Sequence, residues 1–376
     1  MLKNLCILPW IHIEADPMGR AKPCCLYEDE LGSLTTDTLK DIWNGEKIQQ
    51  LRKEFLEDKR PIGCKQCWTT DDANGESKRV RDNRRFGKRH QSRFNSQIDN
   101  VLPPVYYDLK LGTVCNLKCR TCSTASSFKW EEDEIELYGE SLNPNVKSYW
   151  INDDAPIWTE LTNSLPYAEF FDFSGGEPFL IKRHVELLRE CVEKDYARNI
   201  SIHYNTNGSI MPQKELFELW KEFKDVEIMV SMDSTGSRFE YMRHPANWKI
   251  AEHNFDYFNS LYYVTATICY TVSLFTLYYI PEFIQWAKSK ELEDWQYFFN
   301  LMVAPTYLSI NNIPPDAYDL FETKLSNVKE SQQFVEIMKN QYYNERDRFR
   351  WITSDLDKFR KENFQQTFPE IYKHVW

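Results

Sequence analysis

From Val101 onward, short runs of β-branched and aromatic residues alternate with stretches whose apolar positions recur every three or four residues, the pattern of a parallel α/β fold. Six strands are predicted, at 105–111 (VYYDLKL), 168–173 (AEFFDF), 200–204 (ISIHY), 226–231 (VEIMVS), 264–272 (VTATICYTV) and 297–303 (YFFNLMV). Amphipathic segments such as HVELLRECVEK and QKELFELWKEF fill the gaps. Six such units predict an α/β partial (β/α)6 barrel of TIM-like type rather than a closed eight-fold one. Upstream, Leu39, Ile42 and Trp43, then Ile48, Leu51 and Phe55, fall at helical spacing, and Asn44-Gly45 divides them into two helices. Residues 71–100 are polar and basic without apolar periodicity and read as a linker, while the chain after Pro314-Pro315 turns charged and helical with no evident chemistry. The predicted organisation is a module at 1–70, a linker at 71–100, the barrel at 101–313 and a C-terminal helical extension at 314–376.

Composition adds limits. A chain of 376 residues with 42% hydrophobic content is long enough for two or three folded units. A net charge of −11 argues against nucleic acid as a partner, although eight Lys or Arg are packed between Lys78 and Arg93. That basic stretch reads first as a solvated face, with docking of an anionic partner as the alternative. Nothing at MLKNLCILPW resembles a signal peptide, so the expected location is cytoplasmic. The uncharged run Leu261 to Pro281 has membrane-spanning length, but its Thr, Ser and Tyr content suits a buried strand and turn, and no membrane partner is expected. His12, His184, His203 and His253 are scattered and carry no assigned role, and Cys191 and Cys269 read as core residues.

Ten cysteines in such a chain point to metal or redox chemistry before structural disulfides. Cys115, Cys119 and Cys122 form C-x3-C-x2-C in the loop after the first barrel strand. Three thiolates hold one face of a [4Fe–4S] cubane and leave one iron open to an exogenous ligand, as a catalytic cluster requires. Structural zinc is the competing reading, although zinc sites favour C-x2-C pairs.

This triplet after a strand resembles the signature of the radical S-adenosylmethionine (SAM) superfamily. The resemblance implies that the open iron chelates SAM and that reduction cleaves it to methionine and a 5′-deoxyadenosyl radical, which abstracts a substrate hydrogen. The residue before the third cysteine, often aromatic in that family, is Thr121 here. Further positions follow in family order at strand ends. The resemblance implies that Gly175, Gly176 and Glu177 of FSGGEP bind the SAM amino group. It likewise assigns the ribose to Asn205, Thr206 and Asn207 of YNTNG, and the SAM carboxylate to Ser231 and Arg243.

The N-terminal stretch, CILPWIHIEADPMGRAKPCCLY through GCKQCW, resembles the SPASM or twitch module that binds auxiliary iron–sulfur clusters, although that module normally follows the barrel. Cys6, Cys24, Cys64 and Cys67 are enough to saturate one auxiliary [4Fe–4S] cluster, with Cys24 preferred over Cys25. The expected function is oxidative modification of a peptide or small molecule, with the auxiliary cluster as electron acceptor and a flavodoxin- or ferredoxin-type donor. The alternatives are a redox-neutral epimerase, in which Cys191 or Cys269 would have to be exposed, and a non-enzymatic zinc-binding interaction protein.

Overall fold

A computed structural model describes residues 2–72, 76–94, 102–143, 150 and 155–376. The chain divides into two compact units. The first comprises Met1–Val114, Asn145–Tyr204 and Pro212–Val226, and the second Cys115–Pro144, Asn205–Met211 and Glu227–Trp376.

In the first unit, β1 (His12–Ala15), β2 (Arg20–Lys22), β3 (Gly32–Ser33), β4 (Tyr106–Lys110), β5 (Phe170–Ser174) and β6 (Ser201–Thr206, of which the last two residues fall in the second unit) lie in the order β3-β2-β1-β4-β5-β6. The pairings β1–β4, β4–β5 and β5–β6 are parallel, whereas β1–β2 and β2–β3 are antiparallel. Alternation along these strands divides the two faces. Tyr107, Leu109, Phe171, Phe173, Ile202 and Tyr204 are buried together on one face, where Phe173 packs 5.0 Å from His184 of helix Arg183–Glu193. Each such side chain contributes roughly 1.5–3 kcal/mol by leaving water. The opposite face carries Glu14, Asp108, Lys110, Asp172 and His203.

Helices Leu39–Asn44 and Glu46–Leu56 meet at Gly45, and Leu39, Ile42, Trp43, Ile48, Leu51 and Phe55 are all core residues. The strands β1 to β3 are not signalled by the sequence, because they are only two to four residues long. They answer how a module that precedes the barrel joins it: β1 pairs alongside β4, with His12 opposite Tyr106 and Ala15 opposite Leu109.

The region expected as a linker contains helices Lys78–Phe86 and Gln91–Phe94, with residues 73–75 and 95–100 outside the described set. Polar fixtures replace an apolar stripe in the first of these. Ser77 caps Val80 N–H, Lys78 pairs with Asp82 at 2.9 Å and Arg79 with Asp71 at 2.7 Å, and Asn83 Oδ1 accepts from Ile7 N–H.

In the second unit, β7 (Asp225–Ser231), β8 (Thr265–Val272) and β9 (Tyr297–Leu301) are parallel in that order. The uncharged run 261–281 supplies β8, and no described helix is long and apolar enough to cross a membrane. Helices Arg346–Arg360 and Phe364–Thr367 pack through Phe349, Phe364 and Phe368 around Phe275.

Candidate active site

Cys115, Cys119 and Cys122 gather in the second unit with Leu117 between them. Each of the first two sulfurs faces an N–H donor from another segment. Asn207 Nδ2 lies 3.7 Å from Cys115 Sγ, and Arg243 Nη1 lies 3.9 Å from Cys119 Sγ. A hydrogen bond from Cys122 and the nearby Arg243 charge hold the Cys119 thiol below its ordinary value. At Cys119 this favours the thiolate, the form that ligates iron, while the same hydrogen bond and burial push the Cys122 thiol up.

The loop carrying these cysteines is fixed by residues far along the chain. Arg120, 2% exposed, pairs with Asp357 at 2.5 Å and Glu362 at 2.6 Å and lies 3.7 Å over the Tyr241 ring. Its backbone N–H donates to Met242 O at 2.8 Å, and Lys118 N–H donates to His244 O at 2.7 Å. His244 in turn faces Glu362 at 2.7 Å, and Arg360 grips Asp133. The C-terminal extension, to which no chemistry is assigned from sequence, thus anchors the cysteine loop. No motif could signal this, because the partners lie more than 200 residues apart.

Of the other expected positions, Asn207, Ser231 and Arg243 belong to this same unit, as do Asn205 and Thr206. Arg243 is 7% exposed and paired with Asp233 at 2.9 Å, so it is an interior cation. Its Nε is buried without a hydrogen-bond partner. Asn207 bridges Asn116 at 3.0 Å and Ser209 at 2.8 Å, and Thr121 and Ser231 are half-buried.

Gly175, Gly176 and Glu177 lie in the first unit, just after β5. Both glycines have positive φ, +78° and +53°. A Cβ on Gly176 would strike the Val114 carbonyl oxygen, and one on Gly175 the Lys110 backbone. Glu177 N–H donates to Val114 O at 2.8 Å, and the buried Glu177 carboxylate accepts from Phe179 N–H at 3.2 Å. Gly176→Ala is expected to lose at least about 3 kcal/mol of stability from combined strain and overlap, read as a lowered unfolding midpoint in denaturant.

Cys6, Cys24, Cys64 and Cys67 line one cavity, closed by Leu8, Tyr27 and Phe55. Burial pushes the Cys6, Cys24 and Cys64 thiols up, so iron must displace their protons. Among the described residues no three ligating side chains surround a single ion position; a cubane offers four separate iron corners. Cys25 is exposed and does not line this cavity, facing instead the charges of Lys78, Glu14, Asp108 and Lys110. Cys191 is fully buried and Cys269 half-buried.

Three gathered thiols in the second unit and a four-thiol cavity in the first are donor sets that suit iron–sulfur clusters. The sequence matches the radical SAM superfamily over residues 109–286 and the iron–sulfur cluster-binding domain SPASM over residues 6–68. The chain thus carries a radical SAM domain, with a SPASM-type module at the N-terminus. Its cofactors are a SAM-binding [4Fe–4S] cluster, SAM and auxiliary iron–sulfur.

No curated protein matches the chain. Among solved structures it is similar to native anSMEcpe with bound AdoMet, at 20% identity and TM-score 0.42, over 58% of this chain and 57% of that one. It is also similar to Streptococcus suis SuiB bound to precursor peptide SuiA, at 13% identity and TM-score 0.38, over 91% of this chain and 68% of that one. The chain therefore spans little more than half the length of anSMEcpe.

Proposed function

We propose that the chain is a radical SAM oxidoreductase that takes a hydrogen atom from a peptide or protein side chain or a small metabolite and leaves it oxidised. When bound, the SAM-binding cluster supplies the electron that cleaves SAM, and the auxiliary cluster supplies an acceptor for the electron left on substrate. Cys115, Cys119 and Cys122 hold the first cluster with one iron open to SAM. Arg243 and Ser231 take the SAM carboxylate, Gly175 to Glu177 its amino group, Asn205 to Asn207 its ribose, with Thr121 beside the adenine. Cys6, Cys24, Cys64 and Cys67 saturate the second cluster, which is why it accepts an electron rather than binding substrate. The same reading divides the chain into an auxiliary module at 1–70, a connecting segment at 71–100, the barrel at 101–313 and an anchoring extension at 314–376. It also expects a flavodoxin- or ferredoxin-type donor and a cytoplasmic setting.

The observation that carries this reading is the convergence of four thiols on one cavity in the unit where β1 runs beside barrel strand β4. A redox-neutral reaction needs a thiol hydrogen donor instead, and Cys191 is sealed in the core while Cys269 is only half-buried. Anaerobically prepared protein should contain about eight iron atoms and release 5′-deoxyadenosine with SAM and reductant. Cys24→Ala should lose about four of them, whereas Cys25→Ala should keep all eight. Equal iron in the two variants would refute the ligand assignment.

A further inference from the structure

The polar face of the first unit's sheet is short of hydrogen-bond donors. Glu14, Asp108, Asp172 and His203 form one lateral row across β1, β4, β5 and β6, since each is the register partner of the next. Asp172 is satisfied: it takes His203 Nδ1 at 3.0 Å and the Tyr106 hydroxyl at 3.3 Å. Two other groups on this face are not. Glu14 is 3% exposed, and while Oε1 pairs with Lys110, Oε2 is buried with no hydrogen-bond partner.

His12, one step down β1 on the same face, is wholly buried. Its Nδ1 lies 2.9 Å from Pro23 O, and a carbonyl can only accept, so Nδ1 carries the proton. Burial pushes the ring's basicity down to about 3, so the imidazole is neutral and Nε2 is a bare acceptor. That acceptor has no hydrogen-bond partner and lies 4.0 Å from Asp108 Oδ2. Burial and the adjacent Asp172 push Asp108 up to about 8, a cost a neighbouring cation would relieve. Of the two lysines at hand, Lys110 is engaged by Glu14 and Lys78 by Asp82 at 2.9 Å.

Two unpartnered acceptors, Glu14 Oε2 and His12 Nε2, thus lie on one face of β1 beside the Asp108 carboxyl of β4, on neighbouring strands about 4.8 Å apart. A primary ammonium has three donors and no acceptor, and complements that set. We propose that the inner face of β1 and β4 binds a primary ammonium group of the substrate through Glu14, Asp108 and His12. The inference deepens the proposed function and rests on it only in calling the ligand a substrate. Beside the row, Lys110 is half-buried and Cys25 is exposed. The group belongs either to a lysine side chain in a peptide or to a free amine.

The test is equilibrium binding by calorimetry on the anaerobic, cluster-loaded full chain, which needs no SAM cleavage and so can fail independently of the enzymatic reading. The probes are Nα-acetyl-lysine N-methylamide for the peptide source, 1,5-diaminopentane for the free amine, and Nα-acetyl-norleucine N-methylamide as the neutral control. At least one ammonium probe should bind at least about tenfold tighter than the control, and the better of the two names the source. Asp108→Asn and Glu14→Gln, which keep shape and remove charge, should each weaken it by about tenfold or more. Lys110→Met should tighten it by removing the competing internal cation, a direction misfolding does not mimic. Ammonium binding no better than the control, none up to about 10 mM, or no change in the variants would overturn the proposal.

Discussion

Replacing Cys119 by alanine is expected to abolish 5′-deoxyadenosine formation and to lower the iron content from about eight to about four atoms per chain. The thiol is buried, faces Arg243 at 3.9 Å and is held in the same loop as Cys115 and Cys122. Two remaining thiolates do not retain a cubane against loss of a corner, so the defect should be all or nothing rather than graded. The auxiliary set is untouched by this change, because Cys6, Cys24, Cys64 and Cys67 line a different cavity. Iron analysis and absorbance of the anaerobic protein, with product chromatography, check both halves. A Cys119→Ala protein that still cleaves SAM would remove the triplet from its assigned role.

Arg120→Met should cost about 3–5 kcal/mol of stability, because it strands the Asp357 and Glu362 carboxylates opposite an uncharged side chain. It also removes the guanidinium from the Tyr241 ring and a hydrogen bond to Tyr241 O at 3.2 Å. Since Arg120 directly follows Cys119, the loosened loop should release the first cluster while the auxiliary cluster remains. Adding Asp357→Asn and Glu362→Gln to Arg120→Met should recover part of the loss, since the buried charges then vanish together. Denaturant unfolding followed by the visible absorbance of the clusters distinguishes these outcomes. If the triple variant is as unstable as the sum of its parts, the ion-pair account fails.

The six barrel strands and the paired helices of the N-terminal module are legible in the sequence because each rests on local periodicity. VEIMVS and VTATICYTV become β7 and β8 almost residue for residue. The basic segment after Cys67 is not legible. Its helix Lys78–Phe86 lacks an apolar stripe and is held by the Ser77 cap, by Asp71 and, across 76 residues, by the bond between Ile7 N–H and Asn83. The carboxylates of β1, β4 and β5 escape notice for a related reason. Asp108 in YYDLK and Asp172 in FFDFS are ordinary period-2 polar positions until the strands align them in one row.

By itself, the sequence determines the strand and helix inventory, the C-x3-C-x2-C spacing and the strand-end positions expected around SAM, all set by neighbours within a few residues. Tertiary structure decides which of two adjacent cysteines enters the four-thiol cavity. It also decides that β1 extends the barrel sheet, that residues near 360 clamp the loop at 120, and that His12, Glu14 and Asp108 face one another. These outcomes depend on strand register and on pairings between residues far apart in the chain, which spacing along the chain does not encode.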